Sequence, residues 1–575
     1  MVEGGVSSRR EVLRTLLGAP LLGQALASGW LAGCGGSGGG DPLARVEGEL
    51  LGPDLTAGHR LRDGIPVEAL RAAPTEHLRL AILGGGPAGL SAAYRASATL
   101  SEGVALFELE PVLGGTARSA ESAVTPYPWG AHYLPMPMAH NPDLLALLQD
   151  MNALEPDPQE GGELRGAEAL LVREPESRIF HQGYWERGLY PYAGASADDL
   201  AELARFRQKV DEYVRYRDSQ GRRAFAIPVA LSTTDEQVMA LDRLSAAAWL
   251  DREGFRSARL RWLVDYACRD DYGLRAEQAS AWAMLFYWVA RTEEPGEDTV
   301  DLLTWPEGNG ALVNHMAARA AQRGVRLERG QMAVQVVARD PGAGDASAPV
   351  EIIIQDTGTN TLRRVTADRC IVAMPRFVAN RVVRGLAERD PQVAERFTYG
   401  AWMVANLHVR ERPSSRGVGE CWDNVLYDSP SLGYVSATHQ RGRDHGPGVL
   451  TYYWPLATAD AAEGRRNLFE ADYGTWRDAI LSDLRRAHRH LPEELTRLDV
   501  FRWGHAMIQP RVGMLASETR RAAAAPLGAV HFAHSDLSGI AIFEEAFYHG
   551  VRAADEALAA LATPPGALAT PPQGA

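Results

Sequence analysis

The sequence predicts an α/β fold with two domains, and three observations support this prediction. The chain has 575 residues, more than one hydrophobic core usually serves. Hydrophobic residues make up 46% of it, a share typical of globular proteins. A strand at 78–83, a glycine-rich turn, a helix at 90–98 and a strand at 104–107 follow one another, and this order opens a Rossmann-like domain.

The first 34 residues indicate an export signal rather than a part of the fold. Residues 8–14 read SRREVLR, a twin-arginine pattern, and an apolar segment then ends in a Leu-Ala-Gly-Cys box. This box resembles the bacterial lipoprotein signal, whose cysteine carries the lipid, here Cys34. A single membrane anchor is the alternative, which the glycines and the glutamine of residues 15–33 disfavour. We therefore expect export by the twin-arginine route to the periplasmic face or the cell surface, with only the lipid touching the membrane.

The net charge and the cysteine content limit which partners, disulfides and metal sites the sequence predicts. The formal charge of −14 contains no basic block, which argues against nucleic acid as a partner. Four cysteines leave three if Cys34 is lipidated, so at most one disulfide can form. Histidines and cysteines are scattered without the spacing of a metal site, and we expect none.

The glycine-rich turn predicts a nucleotide site. Gly84, Gly86 and Gly89 form G-x-G-x-x-G between a strand and a helix, where the backbone can approach a pyrophosphate and the helix N-terminus offers free N–H groups. Glu108 ends the next strand 19 residues beyond Gly89, near the spacing of a carboxylate that binds ribose hydroxyls. An ordinary glycine turn between a strand and a helix is the alternative.

A second glycine pair indicates which dinucleotide the glycine-rich turn would bind. The segment LEPVLGGTARS follows, with Gly114, Gly115 and Arg118. Here the sequence resembles the flavin-containing amine oxidase and phytoene desaturase superfamily. The resemblance implies FAD, with the glycine pair and the arginine along the pyrophosphate and the ribityl chain. Thr116 stands where many members have arginine, so the role of Arg118 is less directly matched.

Segments farther along the chain also resemble this superfamily. The resemblance implies an adenine contact from the strand around Val334, a flavin-side crossover at Pro375, and a backbone approach to the flavin at Gly130 and Ala131. The C-terminal flavin motif would be VHFAHSDLSG with FEEAFYHGVRAADEAL, which assigns the ribityl contact to Asp536 and the helix start near the flavin to Glu545 and Ala546. Its AHSD is one residue longer than the usual Ala-Gly-Asp.

These positions imply a discontinuous domain organisation. The Rossmann-like FAD-binding domain comprises residues 76–140, 301–380 and 501–562, and the α+β substrate domain comprises 141–300 and 381–500. Residues 1–34 form the predicted signal, 35–75 a tether and N-terminal extension, and 563–575 a tail that we expect to be disordered. In the resembled superfamily such a second domain covers the flavin and sets substrate specificity.

The predicted substrate domain offers several clusters with two interpretations each. The RDDYG segment at 269–273 is a helix end closed by glycine or a polar patch facing the flavin. The apolar stretch 281–290 is a buried helix or the wall of a substrate tunnel. Among the residues near the flavin, His132 is an acid/base candidate and Tyr453 an aromatic that frames the site, each also explained as a structural residue.

The chemistry expected is transfer of a hydride from a C–N or C–C bond of a small or apolar substrate to flavin N5. The electron acceptor would be oxygen, a quinone or a carrier protein. Many amine oxidases hold a water at the flavin with a lysine, but the only lysine, Lys209, lies in an amphipathic helical pattern after Ser196. That absence weakens oxygen-using amine oxidation and leaves a dehydrogenase or desaturase open. A flavin-dependent isomerase or mutase, or a flavin-binding protein without turnover, is the alternative.

Overall fold

A computed structural model describes residues 46–67, 74–156, 164–297, 299–338, 349–443 and 445–562. The predicted twin-arginine pattern, Cys34, the glycine-rich tether and the tail at 563–575 lie outside these residues. Within the described residues, no helix combines the length and the apolar character needed to cross a membrane.

The bounds of the elements are given in chain order. The strands are β1 (Leu50–Leu51), β2 (Glu76–Leu83), β3 (Val104–Glu108), β4 (Ser119–Glu121), β5 (Pro126–Pro128), β6 (Leu134–Pro135), β7 (Leu154–Pro156), β8 (Leu164–Gly166), β9 (Ser177–His181), β10 (Tyr184–Arg187), β11 (Leu302–Leu303), β12 (Arg326–Arg329), β13 (Gln331–Val337), β14 (Val350–Asp356), β15 (Leu362–Val372), β16 (Tyr399–Val409), β17 (Asp423–Leu426), β18 (Gly433–Ser436), β19 (Gly448–Pro455), β20 (Leu495–Ile508) and β21 (Val530–Phe532). The helices are α1 (Leu55–Asp63), α2 (Pro87–Ser97), α3 (Pro142–Asp150), α4 (Ala197–Arg215), α5 (Glu236–Met239), α6 (Ala246–Arg252), α7 (Ala258–Tyr272), α8 (Ala281–Val289), α9 (Gly310–Gln322), α10 (Arg376–Val382), α11 (Leu386–Arg389), α12 (Val393–Arg396), α13 (Ala461–Glu470), α14 (Tyr473–Leu484), α15 (Leu491–Glu494), α16 (Glu518–Ala522) and α17 (Phe543–Ala562).

The first sheet confirms the predicted α/β fold. Its strands lie in the order β12-β3-β2-β15-β14-β13, and β21 pairs in parallel with the second half of β15. The pairs β12–β3, β3–β2 and β2–β15 are parallel as well. The end of β2 is a continuous buried apolar run, as expected for a central parallel strand covered on both faces. The carboxyl ends of β2, β3, β15 and β21 therefore meet at one edge, the position where such sheets bind ligands.

The second sheet is mixed and lies in the order β1-β20-β16-β19-β18-β17-β9-β10. It contains Tyr453 on β19. Strand β20 runs unbroken through the boundary predicted at residue 500, so this sheet extends to Ile508. Strand β1 pairs with β20, and part of the predicted N-terminal extension therefore belongs to this sheet.

Helices α4 to α8 pack into one hydrophobic core with the first sheet. Helix α8 is buried along nearly its whole length, as the apolar pattern predicts. Helix α7 ends at Tyr272 because Gly273 adopts the left-handed conformation with φ 60°, so the predicted glycine cap is confirmed. Helix α4 begins with a capping box of Ser196 and Asp199. Its Lys209 Nζ lies 2.9 Å from a carboxylate oxygen of Glu212 on the same helix.

Candidate active site

The glycine-rich turn after β2 is shaped by close packing at two glycines and open space at the third. A Cβ at Gly89 would lie 1.8 Å from the carbonyl oxygen of Gly84, and a Cβ at Gly84 would lie 2.4 Å from that of Ala373. At Gly86 the nearest atom to an added Cβ is the Gly115 Cα, 3.9 Å away. Gly86 is also the N-cap of α2, and no side chain caps that helix. The turn thus leaves room and N–H donors where a phosphate group would lie.

The second glycine pair faces the first turn. The Gly114 N–H donates to the Gly85 carbonyl oxygen over 2.8 Å, and φ is +108° at Gly114. A Cβ at Gly115 would lie 3.1 Å from the Gly86 Cα. Side chains at either position would therefore fill the narrow space between the two segments. This glycine-lined cradle suits a pyrophosphate, which the backbone must approach closely.

Glu108 lies at the end of β3, next to this cradle. Its Oε2 accepts a hydrogen bond from the Gly85 N–H over 2.5 Å and its Oε1 accepts one from Glu110 over 2.8 Å. Burial raises the pKa of the Glu108 carboxyl, although these backbone N–H groups oppose the shift. The carboxylate therefore lies where the sequence predicts a ribose partner, and its contact with the ribose stays a prediction.

Arg118 connects the cradle with the second sheet. Its Nε donates to the Gly115 carbonyl oxygen over 3.2 Å. Its guanidinium lies over the rings of Phe501 and Trp503 on β20, at 5.3 and 5.0 Å from their centroids. Cation–π contacts of this kind contribute about 0.5–2 kcal/mol. Arg118 is thereby positioned by both sheets, and its contact with a cofactor stays a prediction.

Asp536 lies where β15 and β21 end side by side. Its Oδ2 accepts from the Arg376 N–H over 2.8 Å, directly after Pro375, and from the Tyr399 hydroxyl over 2.6 Å. Its Oδ1 is buried and lies 2.9 Å from His534 Nδ1. The same Nδ1 lies 3.2 Å from the Asp536 backbone nitrogen, so the tautomer of His534 sets which of the two contacts is a hydrogen bond. A ribityl hydroxyl can donate to this buried carboxylate, so the residues present fit a flavin dinucleotide.

The residue predicted to contact adenine also has defined surroundings. Val334 lies in β13 at an irregularity of its pairing with β14 and packs with Val67, Met332 and Ile353. Its adenine contact stays a prediction.

Glu545 and Ala546 lie in the first turn of α17, near the helix start as predicted, and their proximity to the flavin stays a prediction. Glu545 Oε1 accepts from the Val229 N–H over 2.7 Å, and Oε2 accepts from the Ser538 hydroxyl. Burial raises the pKa of Glu545 to about 7. Ala546 is buried in the core. Glu545 therefore ties α17 to the loop at Val229.

His132 and Tyr453, the two predicted catalytic residues, lie against each other. Their rings stack with centroids 4.6 Å apart. The Tyr453 hydroxyl donates to the Gly130 carbonyl oxygen over 2.9 Å, and His132 Nδ1 lies 3.3 Å from the same oxygen. Gly130 is fixed because a Cβ there would lie 2.1 Å from the Thr116 carbonyl oxygen, which also accepts from the Ala131 N–H. Burial lowers the pKa of His132 to about 4, so the imidazole is neutral at neutral pH.

Two carboxylates lie close to this pair. The Tyr266 hydroxyl is 3.4 Å from Asp423 Oδ2, and the Tyr287 hydroxyl is 3.5 Å from Asp270 Oδ2. Asp270 and Asp423 influence the ionisation of each other and of Tyr453. We call the space bounded by these five residues the acidic chamber.

The two carboxylates of the acidic chamber are largely surrounded by protein. Asp270 and Asp423 keep a partly accessible surface. Protein nevertheless surrounds them so closely that lost hydration, with smaller contributions from neighbouring carboxylates, raises the pKa of Asp270 to about 7 and that of Asp423 well above its usual value. Among the described side chains, none forms an ion pair with either carboxylate, whereas the neighbouring Asp271 pairs with Arg291 over 2.8 Å.

The sequence identifies this chamber only in part. A polar patch was one of the two interpretations of the RDDYG segment. The structure shows a capped helix and also an acidic patch there. Asp423, Tyr266 and Tyr287 belong to no sequence motif, and Asp423 lies far along the chain from the two tyrosines. A carboxylate beside tryptophan at a strand start, as in CWDN, is the only local signal for Asp423. The lysine is correctly placed outside, since Lys209 bonds Glu212 on α4.

Comparisons with known proteins agree with this geometry. The family described as flavin containing amine oxidoreductase matches residues 87–558. Putrescine oxidase, in a structure of the wild type bound to putrescine, is 18% identical with a TM-score of 0.62, covering 84% of this chain and 99% of that chain. Cyclohexylamine oxidase from Brevibacterium oxydans IH-35A is 16% identical with a TM-score of 0.58, covering 84% and 98%.

A third structure in this fold is a fatty acid isomerase from P. acnes that produces CLA. It is 15% identical with a TM-score of 0.55, covering 83% of this chain and 98% of that chain. None of the curated proteins matches this sequence. The family match, together with the cradle and the buried Asp536 oxygen, identifies FAD as the cofactor. The chain therefore belongs to the flavin-containing amine oxidoreductase family and is an FAD-dependent oxidoreductase.

Proposed function

We propose that this protein oxidises a small cationic amine at the carbon beside the nitrogen. The observation that carries the proposal is the acidic chamber, where Asp270 and Asp423 lie among tyrosine rings and form no ion pair with any cationic side chain that the structure describes. A buried carboxylate without a partner is costly, and an ammonium group supplies the missing charge. The aromatic rings add cation–π attraction of about 0.5–2 kcal/mol.

The chamber also offers a group that can exchange a proton with the substrate. An ammonium must lose its proton before the adjacent carbon can give up a hydride, which the bound FAD accepts. Burial and the charge of Asp271 raise the pKa of Asp270 to about 7, where a carboxylate takes up and releases protons readily. His132 has a pKa of about 4 and is the weaker proton acceptor. Asp270 therefore replaces His132 as our candidate for this step.

His132 and Tyr453 instead form one wall of the chamber. Their rings stack on each other, and Trp422 lies 5.4 Å from the His132 ring. Both polar groups face the Gly130 carbonyl oxygen, which holds the rings in place. The role that follows is orientation of the substrate and exclusion of water, which keeps the charge interactions strong.

A carboxylate substrate is the second candidate, because one structure of the same fold is a fatty acid isomerase. The acidic chamber supports it less well, since Asp270 and Asp423 attract a cation when they ionise and offer no positive charge to an anionic head group. Removal of a hydride from a C–C bond of an apolar chain would also give these carboxylates no function. The amine is therefore the substrate that the described residues support best.

The proposal extends to the acceptor and the location. Oxygen is the acceptor we propose, with quinones or a carrier protein as the other candidates. The SRREVLR pattern and Cys34 support export by the twin-arginine route and a lipid anchor.

The experiment uses the FAD-loaded protein in air with hexylamine. We expect hexylamine, oxygen and water to give hexanal, ammonia and hydrogen peroxide in equal amounts. Aldehyde formed only when a quinone is added would retain amine oxidation and replace oxygen as the acceptor. No aldehyde from any amine, with a double-bond shift in an unsaturated fatty acid, would refute the proposal in favour of an isomerase.

A further inference from the structure

An open groove lies at the end of the second sheet where β16 ends and β19 begins. The residues that line it, which we call the basic groove, are Arg412, Arg441, Arg443, His445, Gly446 and Pro447. Three of these six residues are arginines, and no aspartate or glutamate that the structure describes is among them. The basic groove therefore presents positive charge on a chain whose formal charge is −14.

Two charged side chains hold the backbone of the groove in place. Arg412 is buried, pairs with Glu420 over 2.9 Å and donates to the His445 carbonyl oxygen over 3.4 Å. Glu411 accepts from the Gly446 N–H over 2.7 Å. Because Glu420 balances the charge of Arg412, this arginine shapes the groove more than it charges it.

Arg441 and Arg443 carry the charge that the groove presents to solvent. Both residues are exposed. Arg441 donates to the Val124 carbonyl oxygen, a neutral acceptor that leaves the charge unbalanced. The Arg443 guanidinium forms no hydrogen bond or ion pair with another residue in the described part of the chain. Guanidinium groups bind phosphate oxygens through paired N–H donors, so this pair of arginines suits a surface that carries phosphate groups.

The first described residues of the chain enter the second sheet beside the basic groove. Glu47 pairs with Arg497, Arg497 pairs with His408, and His408 pairs with Val449. Three strand spacings therefore separate Glu47 from Val449, a distance of about 14 Å. Pro447 of the groove precedes Val449 by two residues. The chain that leads back to Cys34 thus leaves the sheet at the end that carries the groove.

The predicted lipid is within reach of this end of the sheet. Residues 35–45 are all that separates Cys34 from Val46. A chain of that length spans at most about 40 Å. A lipid on Cys34 would therefore keep the basic groove near a membrane. Because the chain as a whole is acidic, anionic lipids repel most of its surface, and the groove is a side that they attract.

We propose that the basic groove binds the phosphate groups of anionic lipids and turns this end of the second sheet toward the membrane. This inference rests on the proposed lipid anchor at Cys34 and is independent of the substrate. The lipid limits the distance from the membrane, and Arg441 and Arg443 set the orientation.

The test is co-sedimentation of the full FAD-loaded chain with lipid vesicles, with Cys34→Ala in every version so that no lipid anchors it. We expect tighter binding to phosphatidylcholine mixed with phosphatidylglycerol than to phosphatidylcholine alone, and weaker binding in high salt. Arg441→Gln together with Arg443→Gln should weaken binding to the mixed vesicles about 25-fold, at about five-fold for each arginine near an anionic surface.

The control is Arg381→Gln together with Arg396→Gln, which removes the same charge from exposed positions on α10 and α12. This control should bind the mixed vesicles as tightly as the parent chain. The signal segment is identical in all versions, so any binding of its own cancels in the comparison.

The outcomes separate this inference from the other proposals. Equal binding to both kinds of vesicle, or a double variant in the groove that binds as tightly as the control, would overturn it. Binding to soluble poly-glutamate but to neither vesicle would assign the groove to an acidic protein and overturn it as well. If the double variant does not retain FAD, Arg443→Gln alone decides, with an expected loss of about five-fold. Lipid labelling of Cys34 tests the anchor separately, and flavin reduction by amines tests the proposed activity.

Discussion

Replacing Asp270 by asparagine should stabilise the protein and impair its activity. Asparagine has the same shape and can still bond the Tyr287 hydroxyl, but it removes a carboxylate whose pKa burial and Asp271 raise from 3.8 to about 7. A rise of that size corresponds to about 4 kcal/mol of destabilisation by the ionised group, an upper bound because Asp270 and its neighbours titrate together.

The sign of the pH dependence follows from the raised pKa. In the unfolded chain Asp270 ionises near pH 4, whereas in the fold it stays protonated up to about pH 7. The unfolded state therefore binds fewer protons in this window, and Asp270 destabilises the fold increasingly as the pH rises through it. The stability advantage of Asp270→Asn should grow from about pH 4 to about pH 7 and level off above.

The assay is the apparent midpoint of thermal unfolding of the FAD-loaded protein at one fixed scan rate, measured between about pH 5 and pH 8. Asp478→Asn is the control, because that exposed carboxylate pairs only with the adjacent Arg477 and such pairs contribute about 0–1 kcal/mol. In parallel, kcat/KM for amines should fall at least about 30-fold in Asp270→Asn, which corresponds to the lower end of the cost of losing a buried charge partner. A midpoint difference that does not change with pH, or a variant less stable at pH 8, would refute the reasoning.

Three further predictions follow from single residues. Lys209→Met should change stability by less than about 0.5 kcal/mol and leave both flavin half-reactions unaltered in stopped-flow measurements, because Lys209 bonds Glu212 on α4; a 100-fold loss in either would place it in the active site. Gly89→Ala should lower FAD content and stability, since its Cβ would lie 1.8 Å from the Gly84 carbonyl oxygen, whereas Gly58→Ala, with no atom within 4 Å, should retain both; equal FAD content in the two variants would contradict the packing argument. Replacing Arg9 and Arg10 by lysine should block export, and Cys34→Ala should leave an exported protein without lipid, as fractionation and lipid labelling would show; normal export of the double variant would rule out the twin-arginine route.

The cofactor side of the site was accessible from the sequence because its signals are local. Gly84, Gly89 and Glu108 belong to one strand-turn-helix-strand unit whose spacing is dictated by backbone geometry. The parallel sheet then brings Asp536 to the same edge, since the ends of β15 and β21 lie side by side.

The substrate side was not accessible in the same way. Asp270 and Asp423 come from α7 and β17, which lie far apart in the chain, so no single local pattern marks them as one site. The resemblance placed Glu545 near the helix start that faces the flavin, and this stays a prediction, while the Glu545 carboxylate accepts from the Val229 N–H and the Ser538 hydroxyl. Strand β20 runs from Leu495 to Ile508 across the boundary predicted at residue 500, which the sequence pattern alone did not indicate.

The central claim is that the acidic chamber makes a cationic amine the electron donor. The measurement that tests it most directly is anaerobic mixing of the FAD-loaded protein with hexylamine, hexanol or hexanoate, followed by the visible absorption band of the flavin. We predict that hexylamine bleaches the band, that hexanol and hexanoate do not, and that Asp423→Asn slows bleaching at limiting amine at least about 30-fold. Bleaching by hexanol at the same rate, or an Asp423→Asn variant as fast as the unchanged protein, would contradict the account.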